Sequence, residues 1–293
     1  MSSTATRLNT ALDWPASTAG LPFPPVVLLG LSLLYLPIYI HLSNTLWRQE
    51  EYAHGPIIAF ASAFLFWRER ARLSALPSPP NFLAGGLIFA AGLLMAWLGI
   101  TQDIPLIATL SQLPVLTGIL LVLHGGSGLR VAAFPLLFLL FMVPLPGLLV
   151  DALTLQLKEL ISAAAVQLLH ATGYPVARSG VIIVIGQYQM LVANACSGLH
   201  SLFSLSALGL LYVHLRPEKQ VWHKALMIAA IVPIAIVANF LRTLALLLIT
   251  YHAGDVAARA WHDAAGIILF VFALMLLSGT DNFLARIGAR RSA

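Results

Sequence analysis

The sequence predicts an all-α polytopic membrane protein with about eight transmembrane helices, an extracytoplasmic amphipathic helix and a short β-hairpin. Of its 293 residues, 59% are hydrophobic and only 9% are charged. The mean hydropathy is +0.90, which exceeds what a water-soluble protein of this length needs for its core. The apolar residues also fall into runs of about 20, the length of a helix that crosses a bilayer. Together these observations predict a bundle of membrane-spanning helices.

Eight apolar runs are the candidate spans, and the second of them is short for a helix that crosses a bilayer. Polar joints, or joints that contain Pro and Gly, separate the runs from one another. The runs fall at residues 23–42, 53–67, 82–100, 104–124, 131–149, 198–215, 225–250 and 263–281.

The Lys and Arg residues indicate the orientation, because short cytoplasmic loops retain basic residues. They follow the second and eighth runs, precede the fifth, and separate the sixth from the seventh. All of these joints lie on one side of the predicted bundle, so we expect both termini to be cytoplasmic. The loops at 47–54, 101–103, 151–195 and 252–262 then face outward. The basic residues are Arg68, Arg70, Arg72, Arg130, Arg216, Lys219, Lys224, Arg286, Arg290 and Arg291.

The longest outward segment, residues 151–195, is predicted to contain regular structure. DALTLQLKELISAAAVQLLHAT (151–172) repeats apolar residues at helical spacing with Lys158 and Glu159 between them, which predicts an amphipathic helix at the membrane interface. GVIIVIGQYQMLVAN (180–194) has two short β-branched or aromatic runs on either side of Gly186-Gln187, which predicts a β-hairpin. We expect the hairpin to cover the outer ends of the helices.

The chain shows no internal repeat, no low-complexity tract and no linker long enough to divide it. We therefore predict one membrane domain at residues 23–282, between a cytoplasmic segment at 1–22 and a basic cytoplasmic tail at 283–293. The formal charge is +5, but the basic residues are scattered between apolar runs and form no single basic face. No nucleic-acid partner is expected, and membrane lipids are the partners that the composition implies.

Cys196 is the single cysteine of the chain, and it lies immediately before the sixth apolar run. Asn194 has a side chain suited to a helix N-cap, which would put Cys196 in the first helical turn. Free backbone N–H groups and the positive end of the helix dipole stabilise a thiolate in that position. The position alone also fits a small buried side chain, because free cysteines are commonly buried.

Arg242 is a charged residue inside the seventh run, where lipid exposure is unfavourable unless the charge has a role. It lies about 8 residues from the outward end of its predicted helix. Asn239 precedes it by three residues on the same helical face, where it could hold the guanidinium or share a substrate contact. The alternative is that the long Arg242 side chain only extends to the membrane interface.

His262 opens the eighth run in the sequence WHDAAG, where an imidazole could exchange protons with a neighbouring thiol. The alternative is a partly exposed histidine at the membrane interface. His200 is a competing base, since it follows Cys196 by four residues on the same helical face, although burial disfavours its charged form. Cys196, Arg242 and His262 come from three spans and all lie at the predicted outer side, so we predict a single extracytoplasmic site.

Other reaction classes lack their sequence motifs. Ser197, Ser201 and Gly209 are explained by close packing of helices, and neither serine lies in a Gly-x-Ser-x-Gly elbow. The nine histidines are scattered, no His-Glu-x-x-His motif occurs, and one cysteine cannot build a structural zinc site. No Walker or dinucleotide-binding glycine signature occurs either. We therefore expect neither a metal nor a cofactor.

Three motifs carry a family resemblance. ANACSGLHSL (193–202), NFLRT (239–243) and HDAAG (262–266), in that order, resemble the Cys, Arg and His motifs of the exosortase/archaeosortase family. EYAHGPIIAF…LFWRER (51–70), which includes His54, is similar to an early Tyr-x-His-Gly segment of that family and the basic turn after it. The resemblance covers residues 25–282. Its most specific part is the Ala-Cys-Ser-Gly element ahead of a span.

The resemblance implies a multi-pass enzyme of the bacterial inner membrane whose active site faces the periplasm. Such an enzyme acts as a cysteine protease or transpeptidase on exported proteins that carry a C-terminal Pro-Glu-Pro-type signal, a transmembrane helix and a basic tail. It cleaves the signal and transfers the protein to a cell-surface acceptor. The implied catalytic residues are Cys196 as nucleophile, Arg242 as the substrate or oxyanion group and His262 as the acid/base. The supporting or substrate-binding residues are Asn194, Ser197, Asn239, His200 and His54.

Two other functions stay open at this point. A transporter or assembly factor for the export of exopolysaccharide or lipid-linked sugar would also place Arg242 inside a span, with Cys196 passive. A serine-based membrane protease would depend on Ser197 or Ser201. Substitution of Cys196 distinguishes the three functions, because only the cysteine enzyme requires the thiol.

Overall fold

A computed structural model describes residues 22–49, 52–76, 80–191, 198–216 and 220–291. The chain divides into two compact units, Met1–Leu145 and Pro146–Ala293, and each is described by itself below. The regular structure of the described residues is helical apart from one small sheet in the second unit. This composition confirms the predicted class of an all-α polytopic membrane protein.

All eight predicted apolar runs are at least partly helical in the described part of the chain, but the helices differ in length. Five are long and apolar enough to cross a membrane: Pro25–Asn44, Phe82–Thr101, Pro105–Val131, Val221–Ala258 and Ala264–Ile287. Three apolar helices are shorter: Gly55–Arg68, Ala133–Met142 and Phe203–Leu215. The chain is therefore a multi-pass membrane protein, and the number of eight spans stays a prediction.

The first unit holds two long helices whose backbones approach closely. Its described helices are α1 (Pro25–Asn44), α2 (Gly55–Arg68), α3 (Arg70–Ser74), α4 (Phe82–Thr101), α5 (Pro105–Leu110), α6 (Gln112–Val131) and α7 (Ala133–Phe138), with 3-10 turns at Leu46–Arg48 and Leu139–Met142. A Cβ added to Gly85 of α4 would lie 2.9 Å from the carbonyl oxygen of Gly118 in α6. Seven residues later, one added to Gly92 would lie 2.7 Å from the backbone nitrogen of Val115. Such small residues permit close helix contact inside a membrane.

The predicted fifth span, at residues 131–149, was wrong in its C-terminal bound. The helical structure that begins with α7 ends at Met142, and the next helix, α8, begins at Gly147. Pro144 and Pro146 lie between the two helices, and proline lacks the N–H group that a helix interior requires. The last residues of the apolar run therefore belong to α8.

The second unit begins with α8 (Gly147–Ala171), which confirms a helix where the sequence predicts an amphipathic one. One side of α8 is buried, at Ile161, Ala165 and Leu169, and packs against the sheet. Another side is exposed and includes Leu160, which is 61% exposed. The spacing of the three buried residues, four apart, is that of one helical face. Its place at the membrane interface stays a prediction.

The predicted β-hairpin is part of a three-stranded antiparallel sheet. Its strands are β1 (Val176–Ser179), β2 (Ile182–Ile185) and β3 (Tyr188–Leu191), in the order β1-β2-β3. The hairpin around Gly186-Gln187 joins β2 to β3 and is confirmed, whereas β1 was missed. Two-residue turns close both hairpins, and their first residues, Gly180 and Gly186, have φ of 60° and 57°. Glycine adopts this conformation without steric cost, which suits tight hairpins.

The remaining helices of the unit are α9 (Gly198–Leu215) and α10 (Val221–Arg291). Gly254 interrupts α10 with φ 83° and ψ 169°, so α10 consists of a first arm before Gly254 and a second arm after it. Ala235 and Ala238 of the first arm lie in one apolar cluster with Leu269 and Ala273 of the second. The arms therefore pack against each other as an antiparallel helical hairpin.

The turn at Gly254 corrects the predicted outward loop at residues 252–262. The residues on both sides of Gly254 are helical, so the chain reverses at one glycine and the second arm begins well before the predicted eighth run. His262 consequently lies about 12 Å along the second arm from Gly254, at 1.5 Å per residue, rather than at the mouth of its helix.

At the end of the two arms far from Gly254, a group of polar side chains joins the arms to α9. Asp281 is only 8% exposed. Its Oδ1 lies 2.7 Å from Nε2 of His223, and its Oδ2 accepts a hydrogen bond from the Tyr212 hydroxyl at 3.0 Å. Oδ2 also forms an ion pair with Arg216, whose Nε lies 3.1 Å away. Burial opposes the charge of Arg216, but its hydrogen bonds to Tyr212 and the charge of Asp281 outweigh burial and raise the pKa of Arg216. We call Tyr212, Arg216, His223 and Asp281 the Asp281 end.

Candidate active site

The helices that carry the three sequence motifs pack against one another. A single apolar cluster contains Leu205 of α9, Ala235 and Ala238 of the first arm, and Leu269 and Ala273 of the second arm. These helices hold, respectively, the end of the Cys motif, the Arg motif and the His motif. The fold thus brings the helices of the three motifs together in one unit, and a single site formed by Cys196, Arg242 and His262 stays a prediction.

The axial register of the three helices follows from contacts at two levels. Leu205 packs with Ala238 and Leu269, and Val213 packs further along with Met227 and Leu284. Because all helices rise by 1.5 Å per residue, the same register can be continued from Leu205 toward the start of α9. Gly198 lies seven residues before Leu205, and the level seven residues from the Ala235, Ala238, Leu269 and Ala273 partners of Leu205 is that of residues 242–245 in the first arm and 262–266 in the second. We call this level the Gly254 end.

Arg242 is buried at the Gly254 end, with 7% of its surface exposed. It follows Ala235 and Ala238 by seven and four residues, so it continues the face that packs on the second arm and α9. Asn239 and Thr243 are both 0% exposed, and the Thr243 hydroxyl donates to the Asn239 carbonyl oxygen at 3.0 Å. Arg242 therefore lies inside the protein and does not extend along its surface.

Gly266 connects the Arg motif to the His motif. A Cβ added to Gly266 would lie 3.8 Å from Nη2 of Arg242 and 4.0 Å from its Cζ. These are ordinary van der Waals distances, so the Gly266 backbone lies directly beside the guanidinium. His262 precedes Gly266 by four residues in the same helix, so its backbone lies on the same helical face one turn away. The Arg and His motifs therefore adjoin each other.

The sheet covers the part of the Arg242 helix that is nearest Gly254. Leu247 of the first arm is buried in one cluster with Ile183 and Ile185 of β2, and Phe240, Leu244 and Leu248 pack around it. Above this cluster the Tyr174 hydroxyl lies 3.1 Å from Nε2 of His252, and the rings of Tyr174 and Tyr251 meet edge to face. Such aromatic contacts fix the sheet on the helix near Gly254.

Several predicted site residues lie outside the described residues. Asn194, Cys196 and Ser197 are among them, so the predicted N-cap and the place of the thiol stay predictions. His200 and His262 are described through their helical backbone alone, in α9 and the second arm. The proton-transfer roles proposed for these two histidines likewise stay predictions.

His54, the remaining predicted supporting residue, belongs to the first unit. It lies at the start of α2, where its Nε2 is 3.1 Å from the carbonyl oxygen of Phe141. Nearby, the Tyr52 hydroxyl donates to the carbonyl oxygen of Leu145 at 3.2 Å. Both side chains of the Tyr-x-His-Gly segment thus bind the backbone that follows α7. The structure gives this segment a role within its own unit.

Sequence reasoning missed Thr243, Gly254 and Gly266. Each lies in or beside a motif that was noted, but none is a residue type that itself suggests chemistry. The signal for Gly254 was present, because a glycine after a long helical run commonly marks a helix end. Gly266 gave little signal in the sequence. Its position one turn after His262 becomes informative only when the structure shows Arg242 beside it. Among the described residues, no group of three or more His, Cys, Asp or Glu side chains is arranged to hold a metal ion.

Comparison with known proteins identifies one family. The family model described as Transmembrane exosortase (Exosortase_EpsH) matches residues 46–279 of the 293. The match includes all three motifs and the Tyr-x-His-Gly segment. A search of curated proteins found no match, and a search of solved structures found none either.

Proposed function

Because this chain belongs to the transmembrane exosortase family, we propose that it is a membrane-embedded cysteine protease and transpeptidase that processes exported proteins. Family membership supports a transpeptidase or sorting function at a membrane. The finer proposal is that the enzyme cleaves a C-terminal Pro-Glu-Pro-type signal and transfers the protein to a cell-surface acceptor. The substrate is held in the membrane by its own C-terminal helix while it is processed.

In the first half of the proposed reaction, the Cys196 thiolate attacks the carbonyl carbon of a peptide bond next to the signal. Arg242 stabilises the oxyanion that forms or binds the carboxylate of the signal. The C–N bond then breaks, the leaving amine takes a proton from His262, and a thioester joins the exported protein to Cys196. The C-terminal tail departs with the new amine.

In the second half, an acceptor amine or water resolves the thioester. His262 takes a proton from the acceptor, the acceptor atom bonds to the thioester carbonyl carbon, and the C–S bond breaks to release the Cys196 thiolate. An amine acceptor gives transfer and water gives hydrolysis. We propose that the site faces the periplasm of a bacterial inner membrane, with both termini in the cytoplasm.

The observation that supports these roles most directly is the contact between the Arg and His motifs. The Arg242 guanidinium is buried and lies within 4 Å of the position of a Cβ on Gly266, in the motif that contains His262. A buried guanidinium beside a second motif of the same family pattern is the arrangement that a shared reaction site requires. The register of α9 supports a place for the Cys motif at the same level.

The test uses cells that express this protein together with a tagged exported substrate bearing a Pro-Glu-Pro tail. We expect the wild-type protein to convert the substrate to a product of altered gel mobility. Cys196→Ala and Cys196→Ser should abolish conversion, because neither side chain supplies a thiolate. Ser201→Ala, which changes a neighbouring residue of the same motif, is the matched control and should retain conversion.

Equal amounts of each variant in the membrane are required for this comparison. Unchanged conversion by Cys196→Ala would overturn the cysteine mechanism, and the export of a sugar polymer or lipid-linked sugar would then replace it as the proposed function. Loss of conversion in Ser201→Ala alone would favour a serine-based protease instead.

A further inference from the structure

Strand β3 is an edge of the sheet that leads directly toward the Cys motif. The strand order is β1-β2-β3, so one side of β3 pairs with β2. Within the part of the chain that the structure describes, no strand pairs with its other side. Leu191 ends β3, and Cys196 lies five residues further along the sequence. An unpaired strand edge is a template on which another extended chain can add a strand.

The register determines which backbone groups face that edge. Ile185 pairs with Tyr188 next to the two-residue turn, and Ile183 pairs with Met190. The pair that closes a two-residue hairpin exchanges both hydrogen bonds, and bonding then alternates along the strands. Tyr188 and Met190 therefore direct their N–H and C=O groups toward β2. Gln189 directs its groups away from β2, as does Leu191, and together they present two donors and two acceptors at the open edge.

β3 is held firmly enough to act as a template. Its Tyr188 packs against the apolar cluster below the sheet, and the Tyr188 hydroxyl lies 3.4 Å from the position of a Cβ on Gly254. At the turn before β3, a Cβ on Gly186 would lie 3.2 Å from the Tyr251 ring. The side chain of Gln189 is exposed on the other face of the sheet. The strand is thus fixed to the helix that carries Arg242, and its edge residue Gln189 is accessible.

We propose that an extended segment of the protein substrate binds by adding a fourth strand beside β3, with hydrogen bonds to the main chain of Gln189 and Leu191. This proposal rests on the proposed function and specifies how that site holds its substrate. An extended peptide offers N–H and C=O groups on every second residue toward one side, which matches the two residues at the edge. Recognition through the main chain accepts many side chains, so one enzyme can process substrates of different sequence.

The first test removes the single N–H donor that Gln189 presents at the edge. Gln189→Pro deletes this N–H group and leaves the bonds between β3 and β2 in place, because proline is tolerated where the N–H faces away from the sheet. Gln189→Ala is the matched control, since it removes the same side chain and keeps the N–H group. We expect Gln189→Pro to raise the substrate KM about tenfold, the effect of one hydrogen bond, and to leave kcat unchanged.

Gln189→Ala should have the KM of the wild type. Equal KM values for the proline and alanine variants would overturn the proposal while leaving the cysteine mechanism intact. A fall in kcat with unchanged KM would also overturn it, because that result would indicate a disturbed site rather than a lost substrate contact.

The second test does not require catalysis, so it separates this proposal from the proposed function. A photo-crosslinking amino acid is placed at Gln189 in the Cys196→Ala variant, which cannot process substrate under the proposed mechanism. The control carries the same amino acid at Ala177, which is exposed on the same sheet face beside Val184 but lies on β1. We expect the tagged substrate to be captured from position 189 and not from 177. Capture at neither position, or equally at both, would overturn strand addition at β3.

Discussion

The Gly254 end and the Asp281 end of the same three helices both bury charged side chains, but the two ends are built differently. At the Asp281 end, one carboxylate accepts hydrogen bonds or an ion pair from Tyr212, Arg216 and His223. At the Gly254 end, Arg242 is equally buried and adjoins Gly266, a residue without a side chain. One end joins three helices through a carboxylate and its donors, whereas the other places a guanidinium where two sequence motifs adjoin.

This difference separates two reasons for burying charge in a membrane protein. A carboxylate surrounded by cationic and hydroxyl donors joins α9 to both arms of α10, which is a structural task. At the Gly254 end, a buried guanidinium lies where the Arg and His motifs adjoin, and we propose that its task there is to bind the substrate. The same residue type, arginine, serves both ends, so only the surroundings distinguish the two tasks.

Arg242→Lys is the variant that should change activity most. We expect processing of the tagged substrate to fall by about 10²-fold to 10³-fold, because lysine lacks the planar fork that binds an oxyanion or carboxylate through two N–H groups. The free energy of unfolding of the detergent-solubilised protein should change little, since the charge is kept. Activity per folded molecule is measured from product formation at matched enzyme amounts.

Arg216→Lys at the Asp281 end is the control for this prediction. Its side chain is 45% exposed, and a lysine can still pair with Asp281 there. Processing should stay within a few-fold of the wild-type rate. An equal loss of activity in Arg216→Lys and Arg242→Lys would abolish the distinction between the two ends.

Asp281→Asn should have the next largest effect, on stability instead of activity. It removes the charge that His223 and Arg216 share, and it leaves a nearly inaccessible imidazole beside a neutral amide. Loss of one partner from a mostly buried pair destabilises by about 2–4 kcal/mol, a range reduced here because Arg216 is partly exposed. Denaturant unfolding in detergent measures the loss.

Asp103→Asn supplies an exposed comparison for Asp281→Asn. Asp103 pairs with His41 at 3.3 Å, but the two side chains are 81% and 52% exposed. Such pairs contribute below about 1 kcal/mol. A similar loss of stability in both variants would show that burial of the Asp281 group does not account for its contribution. Substrate processing by folded Asp281→Asn should remain near the wild-type level.

Gly209→Ala should have a smaller effect on the packing between the two ends. A Cβ at this position would lie 2.9 Å from Cγ1 and 3.1 Å from Cγ2 of Ile231, and a β-branched side chain adjusts poorly. We expect a destabilisation of about 1 kcal/mol from overpacking. Gly279→Ala is the matched control, because nothing lies within 4 Å of its Cβ position. That variant should be neutral or slightly stabilising through better helix propensity, and the same unfolding experiment compares the two.

Much of the helical architecture could be predicted from the sequence, because apolar runs of bilayer length have few alternatives to a helix. The errors occurred where one or two proline or glycine residues interrupt the structure that the surrounding residues predict. Pro144 and Pro146 ended the fifth run early, and Gly254 replaced a predicted loop with a sharp reversal. Strand β1 was missed since VARS (176–179) alternates weakly and becomes a strand through pairing with β2. Its β propensity depends on this tertiary contact.

The sequence indicates residue types for a candidate site, but the arrangement of those residues depends on helix packing that the sequence does not show. Arg242 was identifiable because a charge inside a span is rare, and the structure confirms that it is buried. Its neighbour Gly266 carries no chemical signal of its own. The Asp281 end was missed entirely: Asp281 lies near the predicted end of a span, and its partners come from positions 212, 216 and 223, which only the packing of three helices brings together.

The single-residue reversal at Gly254 has a consequence for biosynthesis. A helix leaving the translocon alone with an arginine near its centre would face an unfavourable insertion free energy of about 2.5–3.5 kcal/mol for that residue. The single glycine leaves no loop between the arms, and the apolar segments Val221–Ala258 and Ala264–Ile287, with mean hydropathies of 2.2 and 2.0, are close together in sequence. Arg242 faces Gly266 within the hairpin of the two arms, away from lipid. We therefore expect the two arms to enter the bilayer together as one hairpin.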